Sequence, residues 1–331
     1  MRRFLVSTLM TACVLAAGWL LYHRDQISNP SDAIALAKHQ FDLLRSSANS
    51  LANWDRPNRD VIRIASFNIQ ALGDKKLNQP EITAILGSII REFDIVAIQE
   101  IRTRDQQLLA RFTDEINSGG RRFQLVCSEA IGRTSYQERY AFLYDSQTIQ
   151  LDGARTYTID DPDDLLHREP LVGWFRTKLA PAQRAFTFTL VNLHLDSRSP
   201  QKEVVHLNQI FRVIRNDGRN EDDVIIVGDF NLSGNAMEGT TNRSGLVCLI
   251  ENAPTNTRGT SQFDNIIIDP QATSEFTGRS GVYDFLKKFN LTIAEAIAVS
   301  DHLPVWAEFA VTEGHYQDLL ASEDLQTPTS R

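Results

Sequence analysis

From Val61 to Val311 the chain is built of short apolar runs separated by polar turns, the pattern of β-strands rather than of long helices. The runs that read as strands are Ile62–Ile69, Ile95–Ile98, Phe123–Val126, Tyr140–Tyr144, Leu171–Phe175, Phe186–Leu193, Val224–Val227, Phe263–Ile268 and Pro304–Phe309. Apolar positions at three- and four-residue spacing predict helices over Glu81–Glu92, Gln106–Ile116 and Pro200–Arg215. A classical parallel sheet requires a helix after nearly every strand, and the chain lacks them. The pattern therefore predicts an α/β protein of two packed sheets flanked by helices.

The ends read differently. Arg2 and Arg3 precede an uncharged apolar stretch, Phe4 to Tyr22, of roughly the ~20 residues needed to cross a bilayer. The basic leading end favours delivery of the rest of the chain to the far side. A signal anchor is the first expectation, leaving the domain membrane-anchored on the extracytoplasmic side. A signal peptide cleaved near Ala16-Ala17-Gly18 and lipidation at Cys13 compete with it. Residues 25–60 carry a helical pattern broken at Arg56-Pro57-Asn58 and are expected to be a spacer. The folded domain is expected over 61–311, with a polar tail over 312–331.

Composition changes this picture little. Of 331 residues 42% are hydrophobic and 23% charged, with 17 Gly and 11 Pro, as in a chain that can bury a sizeable core. A net charge of −8 does not advertise a nucleic-acid binder, but a local basic patch and metal ions can still bind phosphate. The three cysteines, Cys13, Cys127 and Cys248, include no C-x-x-C pair, which argues against structural zinc. Cys127 and Cys248 read as small buried hydrophobes, and a bridge between them is open.

The chemistry lies in one repeated device, an apolar strand that delivers a polar residue at its end. Ile64 to Phe67 leads to Asn68, Ile95 to Gln99 to Glu100, Leu190 to Leu193 to His194, and Ile225 to Gly228 to Asp229-Phe230-Asn231. Phe263 precedes Asp264-Asn265, and Ser300-Asp301-His302 precedes the last strand. A single Asn or Asp at a strand end is an ordinary turn former. Six such placements in one domain would gather carboxylates that are costly to bury without a cation. Oxygens of Glu100, Asp229 and Asn68 suit a hard Mg²⁺-type ion, and a neutral histidine can take a proton from water. Zinc would call for more His or Cys ligands.

In this order, Phe67-Asn68-Ile69, Ile98-Gln99-Glu100, Asn192-Leu193-His194, Gly228-Asp229-Phe230-Asn231 and Ser300-Asp301-His302-Leu303-Pro304 resemble the successive motifs of the endonuclease/exonuclease/phosphatase superfamily. Gly132 to Tyr140, Arg168-Glu169-Pro170 and Glu100-Ile101-Arg102 are similar to the DNase I-like branch. The resemblance implies a four-layered sandwich of two central mixed β-sheets between helices. It implies a Mg²⁺ (or Mn²⁺) held by Asn68, Glu100 and Asp301. It pairs His302 with Asp264 and His194 with Glu138 as general base and acid, in unassigned order. Asp229 and Asn231 would orient the water and the scissile phosphate. Arg102, Tyr136 and Arg168 would contact nucleic acid. Asp161, Asp163 and Glu169, in the acidic loop from Asp160, resemble a structural Ca²⁺ site, or else form a solvated acidic turn.

Two departures stand out. Cysteines of the animal relatives are missing after Tyr157 and at Leu232-Ser233-Gly234, and the family tyrosine before Asp264 is Phe263. The expected activity is phosphodiester hydrolysis by a monomeric, sequence-tolerant endonuclease, most simply on double-stranded DNA, leaving 5′-phosphate ends. A phosphoesterase acting on phospholipid or inositol phosphate and a non-catalytic binding module are the rival readings.

Overall fold

The computed structural model describes residues 60–133, 137–241 and 245–314. The expectations for the membrane segment 4–22, for the spacer up to residue 59, for Tyr136 and for the tail from residue 315 lie outside the described residues. Among the described residues no helix is long and apolar enough to cross a membrane.

In chain order the elements are β1 (Val61–Leu72), α1 (Asp74–Leu77), α2 (Pro80–Ile90), β2 (Ile95–Ile101), α3 (Gln106–Asn117), β3 (Phe123–Cys127), β4 (Arg139–Asp145), β5 (Ile149–Thr158), β6 (Leu171–Thr177) and β7 (Thr187–His194). They continue with α4 (Pro200–Val204), α5 (Leu207–Arg215), β8 (Val224–Asp229), α6 (Gly234–Thr241), β9 (Val247–Cys248), β10 (Asp264–Ile268), β11 (Phe276–Val282), α7 (Phe285–Lys288), α8 (Ile293–Val299) and β12 (Val305–Ala310). The strands form two six-stranded sheets, ordered β11-β12-β1-β2-β4-β3 and β5-β6-β7-β8-β10-β9. Each is mixed, with one parallel pair at its centre: β1 with β2, and β7 with β8.

Alternation within the strands builds three apolar layers. Ile62 and Ile64 of β1, Ile95 and Ala97 of β2, Phe188 and Leu190 of β7 and Ile225 and Val227 of β8 share one buried cluster between the sheets. The opposite faces, with Phe67, Val96 and Ile98, pack under Leu86 and Ile89 of α2 and Leu108 and Phe112 of α3. On the second sheet Val191, Leu193, Val224 and Ile226 pack under Leu207, Ile210, Phe211 and Ile214 of α5. The start of α3 is set by Asp105, whose carboxylate accepts from the Gln107 and Leu108 amides.

The same alternation positions the site. Continued toward the strand ends, the inter-sheet faces change from apolar to polar: Ile62, Ile64, then Ser66 and Asn68; Ile225, Val227, then Asp229. Polar side chains from both sheets therefore meet at one rim of the sandwich. Just beneath it Gln99 Nε2 donates to Asn192 Oδ1 at 2.7 Å, and Asn192 Nδ2 donates to the Ile98 and Ala141 carbonyls at 3.0 and 3.1 Å. These bonds join the sheets where the apolar layer stops, and they satisfy groups that would be costly to bury alone.

Three features depart from the sequence expectation. The helix predicted over Pro200–Arg215 is two helices, broken at Val205 and His206, and just before the break Glu203, 5% exposed, turns inward to accept the His167 and Asp196 amides. Strands β5 and β11 were not legible because each lies at a sheet edge, is largely polar or glycine-bearing, and owes its form to pairing with β6 or β12. Cys127 and Cys248 are free and half-buried, which removes the possible bridge.

Candidate active site

Gly228 explains how β8 brings Asp229 to the rim. A Cβ on this residue would stand 1.9 Å from the Leu193 carbonyl oxygen of β7, so only glycine allows the two strands this approach. The parallel register then sets Asp229 beside His194.

Two histidine–carboxylate couples flank Asp229. His194 Nδ1 lies 2.8 Å from Glu138 Oε1, and His302 Nδ1 lies 2.8 Å from Asp264 Oδ2. Their outer Nε2 atoms both face Asp229 Oδ2, at 3.5 and 3.6 Å. The same oxygen accepts Asn68 Nδ2 at 3.0 Å. The carboxylates fix the orientation of each ring and leave Nε2 free for proton transfer. Thr255 Oγ1 donates to Asp264 Oδ2 at 2.7 Å, and Phe263 packs its ring 5.7 Å from that of His302. Burial alone would lower His302, but Asp264, Asp229 and Asp301 outweigh it and push it up to about 10. His194 is likewise raised, with Asp229 and Glu138 overcoming burial.

Beside the couples lies an oxygen-rich turn. Asn68 Nδ2 also donates to Glu100 Oε1 at 3.3 Å, Asn68 Oδ1 accepts the Gln70 amide, and Glu100 Oε2 accepts the Ala71 amide. Gln70, Ala71 and Glu100 all have positive φ, of 33°, 52° and 62°, a costly conformation for non-glycine residues that clusters at functional sites. Burial would raise the Glu100 carboxyl, yet His194, the Ala71 amide, Arg102 and Asn68 hold it below its usual range. Asp301 Oδ2 accepts Gln70 Nε2 at 2.9 Å, whereas its Oδ1 is buried and has no hydrogen-bond partner. Asn68, Glu100 and Asp301 thus present hard oxygens around one turn, an orphaned one among them, and they fit a divalent cation of Mg²⁺ type. Asp229, Asp264 and His302 also present close ligand atoms.

The remaining expected residues divide. Asn231, at φ 52°, is held by Nδ2 donating to the Leu195 carbonyl at 3.0 Å. Arg102 reaches Glu100 at 3.3 Å and Glu138 at 3.6 Å, at the edge of the site. Arg168 is 7% exposed, and its guanidinium donates to the His194 and Leu195 carbonyls at 3.0 Å and faces Glu138 at 3.5 Å. From there it orients the Glu138–His194 couple. Among the described residues the carboxylates of Asp161, Asp163 and Glu169 do not gather into a group of three close ligand atoms. In their loop Asp161 instead accepts the Leu166 amide, and Arg133 engages Asp164.

Sequence reading missed Lys76. It sits on α1 and donates to the carbonyls of Ile69, Gln70 and Val299 at 2.7 to 2.8 Å, clamping the strained turn to the end of α8. Burial pushes its ammonium down to about 8 against the pull of Asp301 and Glu100. Its only signal is a lysine shortly after the Asn68 strand, which an exposed helix would show equally well.

Residues 65–302 match the Endonuclease/Exonuclease/phosphatase family. The chain is 30% identical over 261 residues to deoxyribonuclease gamma of Rattus norvegicus, covering 74% of this chain and 83% of that protein. It is 29% identical to deoxyribonuclease-1-like 2 of Mus musculus, covering 75% of this chain and 92% of the relative. An endonuclease/exonuclease/phosphatase family protein from Bacteroides thetaiotaomicron shares the fold with a TM-score of 0.50 at 15% identity, over 75% of this chain and 97% of that structure. The chain belongs to the endonuclease/exonuclease/phosphatase family, in its DNase I-like branch, and is a hydrolase of phosphodiester bonds.

Proposed function

We propose that this protein is a divalent-metal-dependent endonuclease that hydrolyses the DNA backbone with little sequence preference. The observation that carries the reading is the convergence of two imidazole Nε2 atoms on Asp229 Oδ2, at 3.5 and 3.6 Å, beside the Asn68–Glu100 oxygens. Two oriented imidazoles are what an in-line displacement at phosphorus needs. One takes a proton as water attacks, and the other gives a proton to the leaving 3′ oxygen as the P–O bond breaks, leaving a 5′-phosphate. Asp229 and Asn231 orient the water and the phosphate. A bound Mg²⁺ or Mn²⁺, held by Asn68, Glu100 and Asp301, would neutralise charge on the phosphate.

The names of the deoxyribonuclease relatives support DNA as substrate. The reading of residues 4–22 as an anchor or export signal supports action outside the cytoplasm, and a reporter fused after Tyr22 tests it. Activity is tested on supercoiled plasmid in Mg²⁺, with and without chelator, beside His302→Ala. Chelator should abolish nicking, and the substitution should slow it by about 10²–10⁴-fold. Nicking that survives both would overturn the mechanism, and cleavage of lipid phosphodiesters with DNA left intact would replace the substrate.

A further inference from the structure

At the end of the sandwich opposite the histidines, Asp223, Glu275 and Glu313 converge. Asp223 precedes β8, roughly 20 Å along that strand from Asp229 at about 3.3 Å per residue. Glu275 precedes β11, and Glu313 follows β12. One carboxylate oxygen of each lies within 4.8 Å of the others. Asp223 is 3% exposed and Glu275 2%, yet Asp223 Oδ1 and Glu275 Oε2 are buried with no hydrogen-bond partner.

The other contacts are neutral. The Gly314 amide donates to Glu275 Oε1 and the Thr187 amide to Glu313 Oε1, each at 2.7 Å. The Thr273 hydroxyl, 1% exposed and adjacent to Asp223, also lacks a partner of hydrogen-bonding geometry. Glu221 adds a further carboxylate, accepting the Asp223 amide and Trp174 Nε1. Among the described residues none of Asp223, Glu275 and Glu313 forms an ion pair.

The first sheet shows how the same fold treats buried acids that need no ion. Asp94 precedes β2 as Asp223 precedes β8, and Arg121 bonds Asp94 at 2.9 Å and Asp145 at 2.7 Å. Asp223 stands in the corresponding place of the second sheet and meets, without an arginine, Glu275 and Glu313, which border β11 and β12 of the first sheet. Burial and then the neighbouring carboxylates push Asp223 up to about 9 and Glu313 up to about 7. A buried carboxylate needs a counter-charge or a proton. Three acids, a buried hydroxyl beside Asp223 and no nitrogen or sulfur ligand match the all-oxygen, irregular shell of Ca²⁺ and not that of zinc.

We infer that Asp223, Glu275 and Glu313 form a second divalent-cation site, of Ca²⁺ type and remote from the catalytic rim, that ties the starts of β8 and β11 to the segment after β12. The test uses the full chain stripped with chelator and then titrated with Ca²⁺, and separately with Tb³⁺ excited through tryptophan. Trp174, bonded to Glu221, is the nearby donor. Wild type should gain thermal stability with Ca²⁺ and show sensitised Tb³⁺ emission. Both should persist in Glu100→Gln, whose change lies at the other rim. In Asp223→Asn/Glu313→Gln the affinity for both ions should fall by about tenfold or more, the lower end of the usual effect of altering a metal's surroundings. Nicking at saturating Mg²⁺ should stay at the wild-type rate. Neutral amides relieve repulsion, so this variant should melt in chelator no lower than wild type; the exposed Glu313→Gln alone is the fallback. Equal ion binding in wild type and these variants, or no Ca²⁺ response in wild type, would overturn the site.

Discussion

Asp94 and Asp223 lead into the central parallel strands of the two sheets, and the protein balances them in opposite ways. Asp94 and Asp145 share the Arg121 guanidinium, whereas Asp223 shares its surroundings with Glu275 and Glu313. The catalytic rim resembles the first arrangement: Glu138 meets His194, Arg102 and Arg168, and Asp264 meets His302. A buried carboxylate is stable only with a counter-charge or a proton, and Asp223, Glu275 and Glu313 form no ion pair among the described residues. The difference also separates roles. Carboxylates at the rim meet histidines and arginines of the chain, and those at the far end meet one another.

The sharpest test of that division is His302→Ala, which should slow plasmid nicking by about 10²–10⁴-fold, as loss of a general acid or base does. It should leave Ca²⁺-induced stabilisation intact. Arg121→Ala should destabilise the chain by about 3–5 kcal/mol in denaturant unfolding, because it removes the guanidinium that two buried carboxylates share. Asp223→Asn in chelator should not destabilise it, and an equal loss from both changes would erase the contrast. Lys76→Met should cost about 10–100-fold in nicking, like other changes that release a metal-site residue from its support. A steeper Mg²⁺ requirement would trace the loss to the Asn68–Glu100 turn, and unchanged activity would remove Lys76 from that task.

The smallest effect is on pH. Asp223 and Glu313 are raised in the folded state, so between their unfolded values near 4 and about 9 the folded chain binds more protons than the unfolded one. Stability in chelator should therefore fall as pH rises, most steeply between about 5 and 7, where both acids hold protons only in the folded chain, and more gently up to about 9, where Asp223 alone does. Asp223→Asn/Glu313→Gln should flatten the slope, measured by melting at several pH values, and a slope unchanged by these substitutions would discount the cluster.

The catalytic rim was legible because a strand announces its inward face by alternation and its end by a change of polarity. Asn68, Glu100, His194, Asp229 and His302 each close an apolar run or precede one. The two sheets followed from many strands with few helices between them. Edge strands β5 and β11 escaped because pairing, not side-chain pattern, makes them strands. That Arg168 bonds the His194 carbonyl was not legible, because an arginine looks alike in sequence whether it points outward or inward.

The sequence by itself therefore determined the two-sheet class, the order of the motifs and the oxygen and imidazole chemistry, since local alternation and residue type carry that information. The tertiary structure alone decided which side chains share a charge. Lys76 clamps the end of β1 to the end of α8, both histidines face a single oxygen of Asp229, and Asp223 meets Glu275 and Glu313 across 52 and 90 positions of chain. Coulomb energy depends on separation in space and on burial, and no spacing along the chain encodes either.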